Sequence, residues 1–120
     1  CMTEHCGVFR SEGVMKEGLE KLQQLKQQYN QIYLDDKEQC WNTEIIEAME
    51  LQSIMMVGEI ILTSAVQRKE SRGAHSREDY PERDDEHYLQ HTLAYYSSAG
   101  IDINYMPVVI NMFEPQERKY

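Results

Sequence analysis

The densest run of side chains able to do chemistry lies between Arg68 and Glu86. Twelve of these nineteen residues are charged, and the signs alternate closely. Arg72, His75, Arg77 and Arg83 stand among Asp79, Asp84 and Asp85. An arginine fork suits two tasks: gripping a carboxylate ligand, or tying the chain's own carboxylates into a scaffold. Interleaved charge at a loop favours the scaffold, and it perturbs pKa values without chemistry. Other candidates are sparser. His87 and His91, four residues apart, would share a face of a helix or a strand, but no recognised zinc spacing joins them to His75, Asp84 or Asp85, so they read as surface and loop histidines. Cys1, His5 and Cys6 are metal-ligand types without a ligand spacing. Glu59 sits in the most apolar stretch of the chain, where a lone carboxylate is costly. A general base with a raised pKa is one reading; pairing with an arginine of the charged segment, or a place at a partner boundary, is preferred. The chain has no Gly-rich nucleotide loop and no serine nucleophile elbow. No catalytic, cofactor-binding or metal-ligating residue is assigned.

Two helices must position the charged segment. Ser11 reads as an N-cap with Glu12 in the first turn. Met15, Gly18, Leu22, Leu25, Tyr29 and Ile32 then recur at spacings of three and four, which predicts an amphipathic helix over about 11–33. Asn42 and Thr43 open a second helix over about 43–72, apolar nearly all round from Ile54 and therefore expected to be the most covered element. Gly73 is placed to stop it as a C′ glycine. Methionines 15, 49, 55 and 56 read as core filling rather than as an adaptable binding face. Residues 73–87 read as a long charged loop, of the kind that is usually functional or partner-facing. Residues 88–96 and 101–106 read as a β-hairpin turned by Ser97-Ser98-Ala99-Gly100 and ended by Pro107. The expected fold class is mainly α: a single domain over 1–120, an antiparallel long-helix bundle of spectrin-repeat type, with a small carboxy-terminal β-hairpin and tail over 88–120.

At 120 residues with 41% hydrophobic and 28% charged residues, the chain is expected to bury its own core. The net charge is −9, and residues 34–67 carry Lys37 against seven acids. No segment forms a basic stripe, so nucleic acid is a disfavoured partner. Three cysteines without a Cys-x-x-Cys pair suit a reducing compartment. No apolar run reaches the roughly 18 residues of a membrane span. Cys1–Arg10 has no leader pattern, and a first residue of Cys predicts a fragment of a longer polypeptide.

One segment carries a specific resemblance. Arg68-Lys69-Glu70-Ser71-Arg72-Gly73-Ala74-His75, followed by Arg83-Asp84-Asp85 and His91-Thr92-Leu93, resembles the succinate dehydrogenase and fumarate reductase flavoprotein family. Gly7-Val8-Phe9-Arg10 resembles the start of that family's carboxy-terminal helical domain, and Leu34-Asp35-Asp36 with Trp41-Asn42-Thr43 its inter-helix segment. Pro115, Arg118 and Tyr120 resemble its closing motif. The resemblance implies a parent flavoprotein that binds FAD and interconverts succinate and fumarate, coupled to quinone. It implies that the catalytic and flavin-attachment residues lie upstream, so this segment alone is expected to bind no FAD and to be inactive. It implies partners: the flavin-binding domain of the same chain, an iron–sulfur subunit and, indirectly, membrane anchor subunits. It implies a peripheral place on the cytoplasmic side of the membrane, or the matrix side in mitochondria. Under it, Arg72, His75 and Arg77 would either touch dicarboxylate substrate or tie the second helix to Asp79, Asp84, Asp85 or the neighbouring domain; the structural role is preferred. L-aspartate oxidase is a related alternative with a similar Ser-Arg-Gly-x-His, but Ala74, Ser76-Arg77-Glu78 and Arg83-Asp84-Asp85 favour the succinate/fumarate branch. A free-standing helical adaptor is the alternative of a different class.

Overall fold

The apolar spacing of the two long segments produces a helical hairpin. In the computed structural model, which describes residues 1–113 and 115–116, α1 spans Met2–His5, α2 Glu12–Tyr29 and α3 Thr43–Gln67. Two short strands, β1 (Phe9–Arg10) and β2 (Ser76–Arg77), pair in parallel. A short helix α4 (Asp85–Tyr88) leads into the antiparallel hairpin β3 (Gln90–Ser97) and β4 (Gly100–Pro107). The architecture is mainly α with a small hairpin, as the sequence predicts. Arg118 and Tyr120 lie outside the described residues.

Met15 and Leu22 of α2 interdigitate with Met55, Leu62 and Ala65 of α3, and Cys6 closes the end of this core. Each fully buried Leu or Met contributes about 1.5–3 kcal/mol. The backbones approach closely at two glycines that face the α1 turn. A Cβ on Gly18 would stand 2.5 Å from the His5 Cβ, and one on Gly58 3.3 Å from the Met2 sulfur. His5 is buried there: its Nδ1 lies 2.8 Å from the Cys1 carbonyl and its Nε2 3.1 Å from Lys21 Nζ. Cys1 turns its thiol toward the Gly18 carbonyl.

The helix ends differ from their expected places, for local reasons. α2 stops at Tyr29 instead of Tyr33, because Gln31 and Ile32 donate to Gln28 and Tyr29, three residues back, and tighten the last turn. The following loop is organised by Asn42. Its Oδ1 accepts from the Ile45 N–H and caps α3, while its Nδ2 donates to the Asp36 and Glu38 carbonyls. α3 stops at Gln67 rather than at Arg72. Arg68, Glu70 and Arg72 explain this. The two arginines both pair with Glu70, at i±2, and an extended chain puts such residues on one face whereas a helix does not. Gly73 is therefore no helix cap. Its φ of +59° serves the tight turn in which Arg72 and His75 exchange backbone hydrogen bonds.

Two further expectations are corrected. Residues 73–87 are not wholly irregular, since they contain β2 and the first turn of α4. α3 is not the most covered element: Ile46, Met49, Ile54, Val57 and Ile61 are all exposed. Of the methionines, Met15 and Met55 fill the core and Met49 does not. The hairpin meets its expected register, with Ser97 opposite Gly100 and Gln90 opposite Pro107.

Candidate functional site

All seven candidates converge at the base of the helical hairpin. Arg77, 1% exposed, is the centre. β2 carries it, and the parallel pairing of β2 with β1 aims it beneath the end of α3. Its Nη1 donates to the carbonyls of Ala65, Val66 and Arg68 at 3.1, 3.3 and 3.2 Å. These carbonyls have no partner further along the helix, and they form the negative end of its dipole. The Nε and Nη2 of Arg77 grip both oxygens of Asp79, at 2.6 and 2.7 Å. Asp79 in turn accepts the Glu12 backbone N–H at 2.9 Å, at the positive end of α2. The pair thus joins the carboxyl end of one helix to the amino end of the other, with each charge matched to its dipole. Ser11 occupies the N-cap position, as expected, but its side chain makes no capping hydrogen bond; Asp79, sixty-seven residues from Glu12, caps α2 instead. The Arg77 fork holds the Asp79 carboxyl far below the usual carboxylate range.

A second cluster surrounds Glu70, which is 0% exposed. It accepts from Arg68 Nε at 2.8 Å, from Arg72 Nε and Nη2 at 2.9 and 3.0 Å, and from the Asp84 N–H at 2.9 Å. Burial, the largest single influence, pushes this carboxyl up; the hydrogen bonds from Arg72, Asp84 N–H and Arg68 outweigh it and hold it below its ordinary value. Arg72 extends to Asp85 at 2.5 Å, and Asp85 also accepts from Arg83 at 2.7 Å. Asp84 caps α4 through the His87 N–H. Arg68 reaches the β-hairpin, donating to the Thr92 hydroxyl and to the Tyr88 and Gln90 carbonyls.

His75 links both clusters to the amino-terminal strand. Arg10 Nη1 lies 3.0 Å from His75 Nδ1, and the Arg68 carbonyl 3.0 Å from Nε2. Arginine can only donate, so Nδ1 accepts and Nε2–H donates; the ring is neutral. Burial pushes its pKa down, and the nearby Arg10, Arg77 and Arg68 charges add to this.

Sequence reasoning singled out Arg72, His75, Arg77, Asp79, Arg83, Asp84 and Asp85, but not Arg10, Arg68, Glu70 or Ser71. Ser71 matters because its hydroxyl accepts the Arg77 N–H at 2.7 Å and donates to the Tyr80 carbonyl at 2.8 Å. The alternation Arg-x-Glu-x-Arg over 68–72 was the available signal for an extended, mutually paired segment. Glu59 does not pair with an arginine of this region: it binds Lys26 of α2 at 2.7 Å. The hydrogen bond that Lys26 donates to Glu59 raises the pKa of Lys26, whose ammonium also stands 5.9 Å from the Tyr96 ring centre and so links α2 to the hairpin. His87 and His91 share no element, since His87 lies in α4 and His91 in β3. Among the described residues, no buried side-chain polar atom lacks a hydrogen-bond partner. The arginines and carboxylates of the cluster are engaged with one another, which is the arrangement of a clamp.

The comparisons with known proteins agree with this arrangement of elements. Residues 1–120 match the sequence family described as "Fumarate reductase flavoprotein C-term". The chain is 43% identical over 120 residues to the fumarate reductase flavoprotein subunit of Haemophilus influenzae, covering 99% of this chain and 20% of that protein. It is 41% identical over 110 residues to the succinate dehydrogenase flavoprotein subunit of Rickettsia bellii, covering 91% of this chain and 18% of that protein. Among solved structures, it superimposes on a mutant of E. coli quinol fumarate reductase with a TM-score of 0.91 at 35% identity, over 97% of this chain and 20% of that one. The chain therefore spans about a fifth of the length of the relatives it matches. With its whole length matched, the chain belongs to the carboxy-terminal domain family of fumarate reductase and succinate dehydrogenase flavoproteins.

Proposed function

We propose that this domain supports the flavin-binding domain of an FAD-containing succinate dehydrogenase or fumarate reductase subunit and helps dock its iron–sulfur subunit. In this reading the parent is a quinone-linked oxidoreductase that interconverts succinate and fumarate. FAD and the catalytic residues belong to the upstream domain, and the seven candidates here are structural and interface groups. In the same reading membrane attachment falls to anchor subunits, with this subunit peripheral on the cytoplasmic or matrix side; no helix among the described residues is long and apolar enough to cross a membrane. The observation that carries the reading is the saturation of the clamp. Arg72 and Arg77 spend their forks on Glu70, Asp79 and Asp85, so neither presents a free fork to a dicarboxylate.

The test uses the full-length subunit. Arg72→Ala should weaken assembly with the iron–sulfur subunit and lower electron transfer to quinone several-fold, while reduction of a soluble dye by the free flavoprotein suffers less. Equal loss of both activities in a complex that still assembles would place Arg72 in the chemistry and end the proposal.

A further inference from the structure

We propose that His75 is an acid-sensitive latch between residues 1–10 and the charged clamp: the neutral ring holds β1 against β2, and a protonated ring lets the two part. Every group in the latch belongs to this chain, so it is separate from the supporting and docking role proposed above. Residues 1–10 are held to the rest of the domain at three places. Met2 packs on Gly58, His5 packs on Gly18, and β1 pairs with β2. The last joint is slight, with 2 residues in each strand and the Glu78 N–H donating to the Arg10 carbonyl at 2.8 Å. So short a strand pair is marginal by itself, and side chains must secure it. Arg10 does so. Its Nε and Nη2 donate to the Gly7 and Cys6 carbonyls at 2.9 and 3.3 Å, which aims Nη1 at His75 Nδ1, 3.0 Å away.

That bond needs a bare Nδ1. The ring's other nitrogen already carries its hydrogen to the Arg68 carbonyl, so a second proton can go only to Nδ1, where it would face the Arg10 donor. The other charges around the ring are positive too: Arg68 at the end of α3 and Arg77 on β2. Arg72, whose backbone pairs with that of His75, directs its guanidinium to Glu70 and Asp85. Among the described residues, histidine–carboxylate contacts within 4.0 Å belong to His5 and His87 and not to His75. His5 provides the contrast. Lys21 donates to its Nε2 at 3.1 Å much as Arg10 does to His75, but the Glu4 and Glu17 carboxylates stand 3.9 and 3.7 Å from its ring nitrogens. A cation at His5 would meet acids; a cation at His75 would meet three arginines. Repulsion between partly buried charges is weakly screened by salt. Burial and these arginines push the His75 pKa down, so the latch opens below about pH 6.5.

The test follows hydrogen exchange in the full-length flavoprotein by mass spectrometry between about pH 7.5 and pH 5. Exchange of the His75 ring Cε1 hydrogen gives the pH at which the ring takes up its proton. Exchange of the Glu78 amide, corrected for its intrinsic rate at each pH, reports the joint between β1 and β2. Its protection should fall about tenfold, with a midpoint at the His75 titration, while the amides of α3 keep theirs. His75→Gln should abolish this step. Arg10→Ala should lower the Glu78 protection already at about pH 7.5, to the level the unmutated protein reaches in acid, and leave no further step. The unmutated protein decides the matter even if a variant fails to fold. No step, a midpoint away from the His75 titration, or loss of α3 protection at the same pH overturns the latch, as does an unchanged step in His75→Gln. None of these outcomes touches the proposed function, which the assembly and electron-transfer assays test by themselves.

Discussion

Replacing Arg77 with alanine should remove the joint between the two long helices. The guanidinium makes five hydrogen bonds, two to Asp79 and three to the carbonyls that end α3. Its loss leaves Asp79 without its cation and leaves the Ala65 and Arg68 carbonyls without these donors, beneath a side chain that was almost wholly buried. Breaking one partner of a buried, hydrogen-bonded ion pair costs about 3–5 kcal/mol. Arg77 is buried but Asp79 is exposed, so the loss should fall at the lower end of that range, the loosened Asp79 cap on α2 included. Urea unfolding of the chain, followed by far-ultraviolet circular dichroism, measures it. Asp79→Ala alone should cost less, about 2–3 kcal/mol, since the arginine keeps its carbonyl partners. The double variant should cost clearly less than the two singles added together, with a coupling of about 1.5–3 kcal/mol. Strict additivity, or a loss below about 1 kcal/mol for Arg77→Ala, would refute the view that this pair locks the hairpin.

Four other outcomes follow from the same geometry. The folded pKa of His75 lies below that of the unfolded chain, about 6.5, so unfolding takes up a proton; stability is complete above that value and is lost as pH falls through the folded pKa. His75→Gln should flatten the fall in urea midpoint between about pH 7.5 and pH 5, and an unchanged slope would remove His75 as its source. Gly18→Ala should destabilise by about 1–3 kcal/mol, because its methyl would press on the His5 Cβ. Gly13→Ala, which meets nothing within 4 Å, should stabilise α2 by up to about 1 kcal/mol in the same thermal or urea assay. The purified chain should carry no flavin through gel filtration, and stoichiometric flavin absorbance would overturn the assignment of that cofactor to the upstream domain.

Local pattern was enough to determine the main elements of this protein. The three-and-four spacing of Met15, Gly18 and Leu22 specified a helix and its buried face, since that periodicity belongs to the 3.6-residue turn. Alternation around Ile101 and Ile103 likewise specified the hairpin, and Asn42 the start of α3. The charged candidates were legible as one group because they are neighbours in sequence. Their pairings were not. The cap on α2 comes from Asp79, far along the chain, and no pattern around Ser11 reports a carboxylate that folding brings there. Glu59 found Lys26 because α2 and α3 run antiparallel, a fact of packing. The end of α3 was misplaced because residues 68–72 are acceptable to a helix locally, and only the burial of Glu70 between two arginines makes the extended form better. Exposure of Ile46, Met49, Ile54, Val57 and Ile61 on α3 was also beyond sequence, since an apolar side chain looks alike in a sequence whether or not its own chain covers it. Hydrophobic periodicity states which faces must be buried; tertiary structure decides against what, because the contacts that choose among partners act between residues distant in the chain.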